Sequence, residues 1–159
     1  MAGEPMTMLP PGSTIGILGG GQLGRMMALA AAPLGLHVHI YAPEDESVAG
    51  EVAARHTRGG YDDEAALAAF AASVDAITYE FENVPAACAA LLAGLKPVRP
   101  GAKALEVAQD RVTEKDFVRA LGIGVGDEVL VSRRNDVIPY VEEVVESAGN
   151  PAKTPDACS

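Results

Sequence analysis

Thr14-Ile15-Gly16-Ile17-Leu18-Gly19-Gly20-Gly21-Gln22-Leu23-Gly24-Arg25, near the start of the chain, sets its architecture. Thr14 to Leu18 is a short apolar, β-rich run that stops at Gly19, Gly20 and Gly21. The pattern then turns helical from Gln22 to Ala32, with Met26, Leu29 and Ala30 on one stripe, and Pro33 and Gly35 close it. Gly19, Gly21 and Gly24 fit G-x-G-x-x-G directly after a strand and at the opening of a helix, where that spacing has physical meaning. Gly19 can turn sharply, Gly21 lets backbone N–H groups approach an anion, and Gly24 allows the helix to pack on its strand. The turn suits a ligand phosphate or carboxylate. A tight connection with no ligand is the lesser alternative.

Outward from this turn the pattern repeats. Leu36 to Tyr41 reads as a second strand, Pro43 to Ser47 as a polar loop, and Val48 to His56 as a short helix. Thr57 to Tyr61 is a weak edge strand or loop. Asp62 is the expected N-cap of a helix with Asp63 and Glu64 in its first turn and Leu67 and Phe70 on its core face. Asp75 to Phe81 is the next strand. Asn83 and Pro85 start a helix that runs through Cys88 and Leu92 to Gly94, and Lys96 to Arg99 is a brief strand. Lys103 to Asp110 and Thr113 to Leu121 read as helices separated near Arg111. Alternating strands and helices predict an α/β fold: a Rossmann-like, doubly wound parallel sheet with helices on its faces. Beyond it, Gly122 to Gly126 is a glycine-spaced loop, Glu128 to Ser132 a strand and Asp136 to Ser147 a helix with Pro139 in its first turn.

Composition narrows the function. The 159 residues fit one domain, or one domain and a piece of the next. Aromatics are 4% with no Trp, so alanine and leucine supply most of the packing. A net charge of −10 argues against a nucleic-acid partner, because phosphate backbones are bound by clustered Lys and Arg. It leaves room for a small anion at a glycine turn. Cys88 and Cys158 stand apart without metal-ligand spacing and read as reduced thiols. No stretch reaches the roughly 18 apolar residues of a membrane span. Residues 1–13 lack a signal core and are expected to be disordered, and the cytoplasm is the default location. His37 and His39 share a strand face; without a visible third ligand they read as two partly exposed histidines. Lys115 and Arg119 read as a solvated helix face, and Met26 and Met27 as ordinary helix packing.

Tyr79-Glu80-Phe81-Glu82-Asn83 closes the strand that begins near Asp75. Ligands of open α/β sheets sit outside the carboxyl ends of the strands. Strand alternation turns Glu80 and Glu82 one way and Phe81 the other. The carboxylates and the amide can accept hydrogen bonds from an amine or from ribose hydroxyls; Glu82 and Asn83 can instead cap the next helix. A nicotinamide site wants an acid at the tip of the second strand. Here that tip is Ala42, and Glu44 and Asp45 lie only in the loop beyond.

Four stretches together resemble one family. Ile17-Leu18-Gly19-Gly20-Gly21-Gln22-Leu23-Gly24-Arg25-Met26 resembles the opening of 5-(carboxyamino)imidazole ribonucleotide synthases, the ATPase subunit of phosphoribosylaminoimidazole carboxylase. Tyr79-Glu80-Phe81-Glu82-Asn83-Val84-Pro85 resembles their second signature, and Ala104-Leu105-Glu106-Val107-Ala108-Gln109-Asp110-Arg111 the third. Lys115 to Gly122 resembles the helix that follows, and the similarity covers about residues 14–148. The resemblance implies a Rossmann-like pre-ATP-grasp domain over 14–112 and the beginning of a truncated ATP-grasp domain over 113–159. It implies an ATP-dependent carbon–nitrogen ligase of purine biosynthesis. Such enzymes use Mg-ATP to activate bicarbonate and carboxylate the exocyclic amine of aminoimidazole ribonucleotide, and complete relatives are commonly homodimers.

On that basis Gly21, Gln22, Leu23 and Glu80 form the substrate side, and Arg111 matches an arginine that reaches ATP. Lys153 is the candidate for the family's ATP-binding lysine, although the apolar residues that should precede it are missing. The family continues with a glycine-rich loop over the phosphates and distal acidic Mg ligands, and Pro155-Asp156-Ala157-Cys158-Ser159 resembles neither. Neither the ATP nor the Mg site is therefore expected to be complete here, and the polypeptide alone is expected to lack carboxylation activity. Two other readings remain beside this one. They are an NAD(P)-type Rossmann nucleotide-binding module, and a non-catalytic remnant with an exposed apolar patch.

Overall fold

The computed structural model describes residues 8–120, 128–134 and 138–149. The chain forms two compact units, Met1–Gln109 and Asp110–Ser159. In the first, β1 (Thr14–Leu18), β2 (His37–Ala42), β3 (Arg55–Arg58) and β4 (Ala76–Tyr79) build one sheet in the order β3-β2-β1-β4. All neighbours are parallel, with Leu18 opposite both Tyr41 and Tyr79. The strand expected at Lys96 to Arg99 shrinks to a single parallel bridge between Val98 and Ile77, as its prolines limit the ladder.

Helix α1 (Gln22–Ala31) packs on one face over Ile17, Val38 and Ile40. Helices α2 (Glu64–Ala72) and α3 (Ala86–Ala93) cover the other face, where Leu18, Tyr41, Leu67, Phe70, Ile77 and Leu92 form the larger core. Leu105 of α4 (Ala102–Gln109) closes that core. Gly16 belongs there for a steric reason. A Cβ on it would stand 2.6 Å from the Phe70 ring. Ahead of β1, Gly12 N–H donates to the Gly35 carbonyl at 2.7 Å, tying down the end of the segment expected to be disordered; its first seven residues lie outside the described ones. Among the described residues no helix is long and apolar enough to cross a membrane.

Several elements differ from their sequence reading. The stripe of α1 that carries Met26 and Leu29 faces outward, 64% and 54% exposed, and Gly24, Ala28 and Ala31 meet the sheet instead. Small residues let the helix lie close over β1, so the phase is set by fit rather than by side-chain hydrophobicity. Val48 to His56 is not a helix. Turns run from Ser47 to Ala53, the Ala49 amide bonds the Gly20 carbonyl, and Arg55 and His56 join β3. The N-cap of α2 is Asp63, whose carboxylate accepts from the Ala66 amide at 3.0 Å, one residue after the expected Asp62. Asn83 caps nothing; Pro85 occupies the N-cap position of α3 without a side-chain bond. Strand β4 ends at Tyr79, before Glu80 and Phe81.

The second unit contains α5 (Arg111–Ala120), β5 (Glu128–Arg134) and β6 (Ile138–Glu146). Asp110 heads α5, accepting from the Thr113 amide and hydroxyl at 2.7 Å each, and these bonds hold its carboxyl below the ordinary range. The helix expected from Asp136 to Ser147 is strand β6, antiparallel to β5. Ile138, Val141, Val144 and Val145 are β-branched, and pairing with β5 outweighs a moderate helical pattern. The glycine-spaced loop at 122–126 lies outside the described residues.

His39 is buried, at 3% exposure, rather than partly exposed. Its ring lies edge-on to Phe70, 4.9 Å between centroids. The Ser73 hydroxyl donates its single proton to the Phe70 carbonyl, so it accepts from His39 Nδ1 at 2.8 Å. His39 Nε2 then accepts from the Thr57 hydroxyl at 2.8 Å. The neutral imidazole thereby joins β2, β3 and the end of α2. Burial, then Arg55 and His56, push its pKa down from 6.5 to about 4. The unfolded chain binds this proton at the higher pH, so the neutral ring's contribution is full above 6.5 and disappears as pH falls toward 4. We expect His39→Gln to flatten the stability–pH slope in that window, a component of at most about 3 kcal/mol. Urea titrations of both proteins across the window measure it, and parallel slopes would exclude this role.

Candidate functional site

The site lies where β1 and β4 end side by side. Glu80 N–H donates to the Leu18 carbonyl at 3.1 Å, which extends the pairing one residue past β4. Gly19 N–H does the same toward Tyr41 on the other side, at 2.9 Å. The chain then reverses at Gly19, whose φ of 111° suits glycine alone.

The Glu80 side chain reaches back into this turn. Its Oε1 accepts from the Gly21 amide at 2.7 Å and its Oε2 from the Gly24 amide at 2.5 Å. These donors belong to the first turn of α1, where N–H groups have no intrahelical partner and the helix dipole favours negative charge. Gly21, the N-cap, has no side chain to supply, so a carboxylate from just beyond β4 caps the helix. The glycines make room for it. A Cβ on Gly21 would stand 2.8 Å from Oε1, one on Gly24 would stand 2.9 Å from Oε2, and one on Gly19 would overlap Glu80 Cγ. The anion that the turn attracts is therefore the chain's own.

Around this pair the site is open and acidic. Gln22 and Leu23 stand exposed at the start of α1, and Glu82 and Asn83 are exposed beyond β4. A cleft of about 290 Å³ runs from Tyr79, Glu80, Phe81 and Glu82 to Pro100, Ala104, Leu105 and Ala108. The Gln109 amide fastens its rim by donating to the carbonyls of Glu82 and Val84, at 2.7 and 2.6 Å. Tyr61 lies half-buried with its ring 6.5 Å from Phe81. Burial, then Glu44 and Glu80, push its hydroxyl above the ordinary phenol range, so it stays protonated. Its place at the end of a stretch read as a weak edge strand or loop gave no signal in the sequence.

The other candidates belong to other parts of the chain. Arg111 heads α5 in the second unit, its side chain 84% exposed and 3.1 Å from Glu114. Lys153 lies outside the described residues. Ala42 is fully buried at the tip of β2, and Asp45, the displaced acid, pairs with Arg58 at 2.5 Å. Cys88 is buried, and burial raises its thiol to about 11. Among the described residues no group of three or more His, Cys, Asp or Glu could hold a metal ion.

A parallel sheet with helices on both faces and a glycine turn at its carboxyl end defines a doubly wound α/β domain. The chain belongs to the ribonucleotide synthetase preATP-grasp domain family, which matches residues 12–109. It is 50% identical over 132 residues to the N5-carboxyaminoimidazole ribonucleotide synthase of Brucella melitensis, covering 83% of this chain and 36% of the relative. The N5-carboxyaminoimidazole ribonucleotide synthetase of Thermus thermophilus superposes with a TM-score of 0.67 at 54% identity, over 69% of this chain and 30% of that one. The Aspergillus clavatus synthase, solved with ADP and 5-aminoimidazole ribonucleotide, gives 0.65 at 28% identity over 76% and 32%. The chain thus spans about a third of the length of these relatives.

If the motif glycines are spaced for Glu80, their substitution must couple to it. Gly21→Ala is expected to destabilise the protein, and to be nearly neutral once Glu80→Ala has removed the clash. The coupling should reach about 1 kcal/mol or more, read from a double-mutant cycle of denaturant midpoints. Additive effects would refute the packing argument.

Proposed function

We propose that this chain serves the ATP-dependent carboxylation of 5-aminoimidazole ribonucleotide with bicarbonate, in purine biosynthesis, by supplying the ribonucleotide side of the site. The observation that carries this reading is the Glu80 carboxylate, fixed by two backbone donors at the carboxyl end of the sheet. Each oxygen keeps acceptor capacity after taking one amide, so Glu80 can receive ribose hydroxyls or the substrate amine. Gln22 and Leu23, exposed beside it, would flank the ribonucleotide, and the Gly21 amide keeps the acceptor in place. The synthase relatives, one of them solved with that ribonucleotide, support the assignment.

ATP, when bound, supplies the phosphoryl group that activates bicarbonate. Arg111 offers an exposed guanidinium fork of the kind that grips phosphate, and Lys153 is its proposed partner in sequence. Mg ligation is not assigned to any of the described residues. A homodimeric, cytoplasmic enzyme is part of the same proposal.

The test is calorimetric titration of the chain with 5-aminoimidazole ribonucleotide. Saturable binding is expected, weakened about tenfold or more in Glu80→Ala through loss of hydrogen bonds to a charged group. Equal affinity in the two proteins, each checked to be folded, would remove Glu80 from the site and this reading with it.

A further inference from the structure

Ser47 is a buried polar side chain, 6% exposed, which neither the sequence motifs nor the proposed site employs. Its hydroxyl donates to the Gly20 carbonyl at 3.0 Å and accepts from the Gly50 amide at 2.9 Å. The Ala49 amide donates to the same Gly20 carbonyl at 3.0 Å. That oxygen therefore meets two donors, both from the turns after β2. Arg25 holds those turns against α1, with Nη1 donating to the Val48 carbonyl at 2.9 Å and to Glu51 at 2.6 Å.

The Gly20 carbonyl and the Gly21 N–H are opposite ends of one planar peptide unit. Between two glycines such a unit has little intrinsic resistance to rotation, since neither residue has a Cβ to restrict it. Something outside the turn must therefore set its plane. We propose that Ser47 is a positioning residue for Glu80: by gripping the carbonyl of the Gly20–Gly21 peptide it aims the N–H at the Glu80 carboxylate. The fit is close, because a Cβ on Gly20 would stand 2.5 Å from Ser47 Oγ and 3.0 Å from Ala42 Cβ. Loss of the hydroxyl leaves the Ala49 amide as the remaining grip, so the turn loosens and the carboxylate loses its fixed direction. The pinning of the peptide stands on geometry alone; its effect on ribonucleotide affinity rests on the proposed function.

Nuclear magnetic resonance on the full chain tests it. In the unmodified chain we expect a scalar coupling across the hydrogen bond between the Gly21 amide nitrogen and the Glu80 carboxyl carbon. In Ser47→Ala this coupling should weaken and Gly21 amide exchange should accelerate about tenfold. The Leu67 amide in α2 should keep its rate, and affinity for 5-aminoimidazole ribonucleotide should fall several-fold. Equal acceleration at Gly21 and Leu67 would show a general loss of stability and overturn the proposal, as would unchanged Gly21 exchange. Faster Gly21 exchange with unchanged ribonucleotide affinity would support the positioning role and overturn the ribonucleotide reading. Ser47→Thr keeps the hydroxyl and should leave Gly21 protected. Fast exchange there, or no coupling in the unmodified chain, overturns the proposal even if Ser47→Ala does not fold.

Discussion

The carboxylate of Glu80, one residue past β4, capping the helix that follows β1 is the contact on which the carboxyl end of this sheet depends. It joins elements 59 residues apart in sequence and satisfies two first-turn N–H groups that α1 cannot pair internally. It also gives the three motif glycines a common explanation. The turn must reverse sharply, and every atom it would gain from a side chain is space that Glu80 already fills. An arrangement associated with phosphate binding is here completed from within.

The two sheet faces answer this constraint differently. On the α1 side the helix approaches through Gly24, Ala28 and Ala31, and Ala42 and Ala49 line the contact, so packing is short-range and intolerant of volume. On the α2 and α3 side the aromatic rings of Tyr41 and Phe70 fill a deeper layer, their centroids 5.2 Å apart. His39 enters that layer as a hydrogen-bonded neutral ring rather than as a ligand or base. The glycine turn sits on the thin side, where small displacements of α1 would move its donors.

What could be read from the sequence was local. β1, the turn and the start of α1 follow from adjacent residues, and Leu67 and Phe70 declare a core face by helical spacing. Glu80 was legible as a candidate because it falls at a strand's carboxyl end. Its bonds to Gly21 and Gly24 were not, since nothing in strand periodicity says which way the last side chain folds back. Ser47 looked like the end of a polar loop. The outward phase of Met26 and Leu29 escaped because hydrophobicity marks a face without saying how close the neighbouring layer lies. The stretch read as a helix from Asp136 to Ser147 misled in another way: its helical pattern was moderate, and the partner strand that decided the matter was invisible in a local window.

The buried ionisable groups of the first unit carry one more implication. Burial moves His39 down to about 4, Cys88 up to about 11 and Tyr41 up to about 12, in each case away from the charged form. These groups neither take up nor release protons near neutrality, so they present a constant electrostatic background to whatever binds at the sheet's end. In proton terms this interior is a spectator: its charge is constant near neutrality, and any proton exchange falls to groups nearer the solvent.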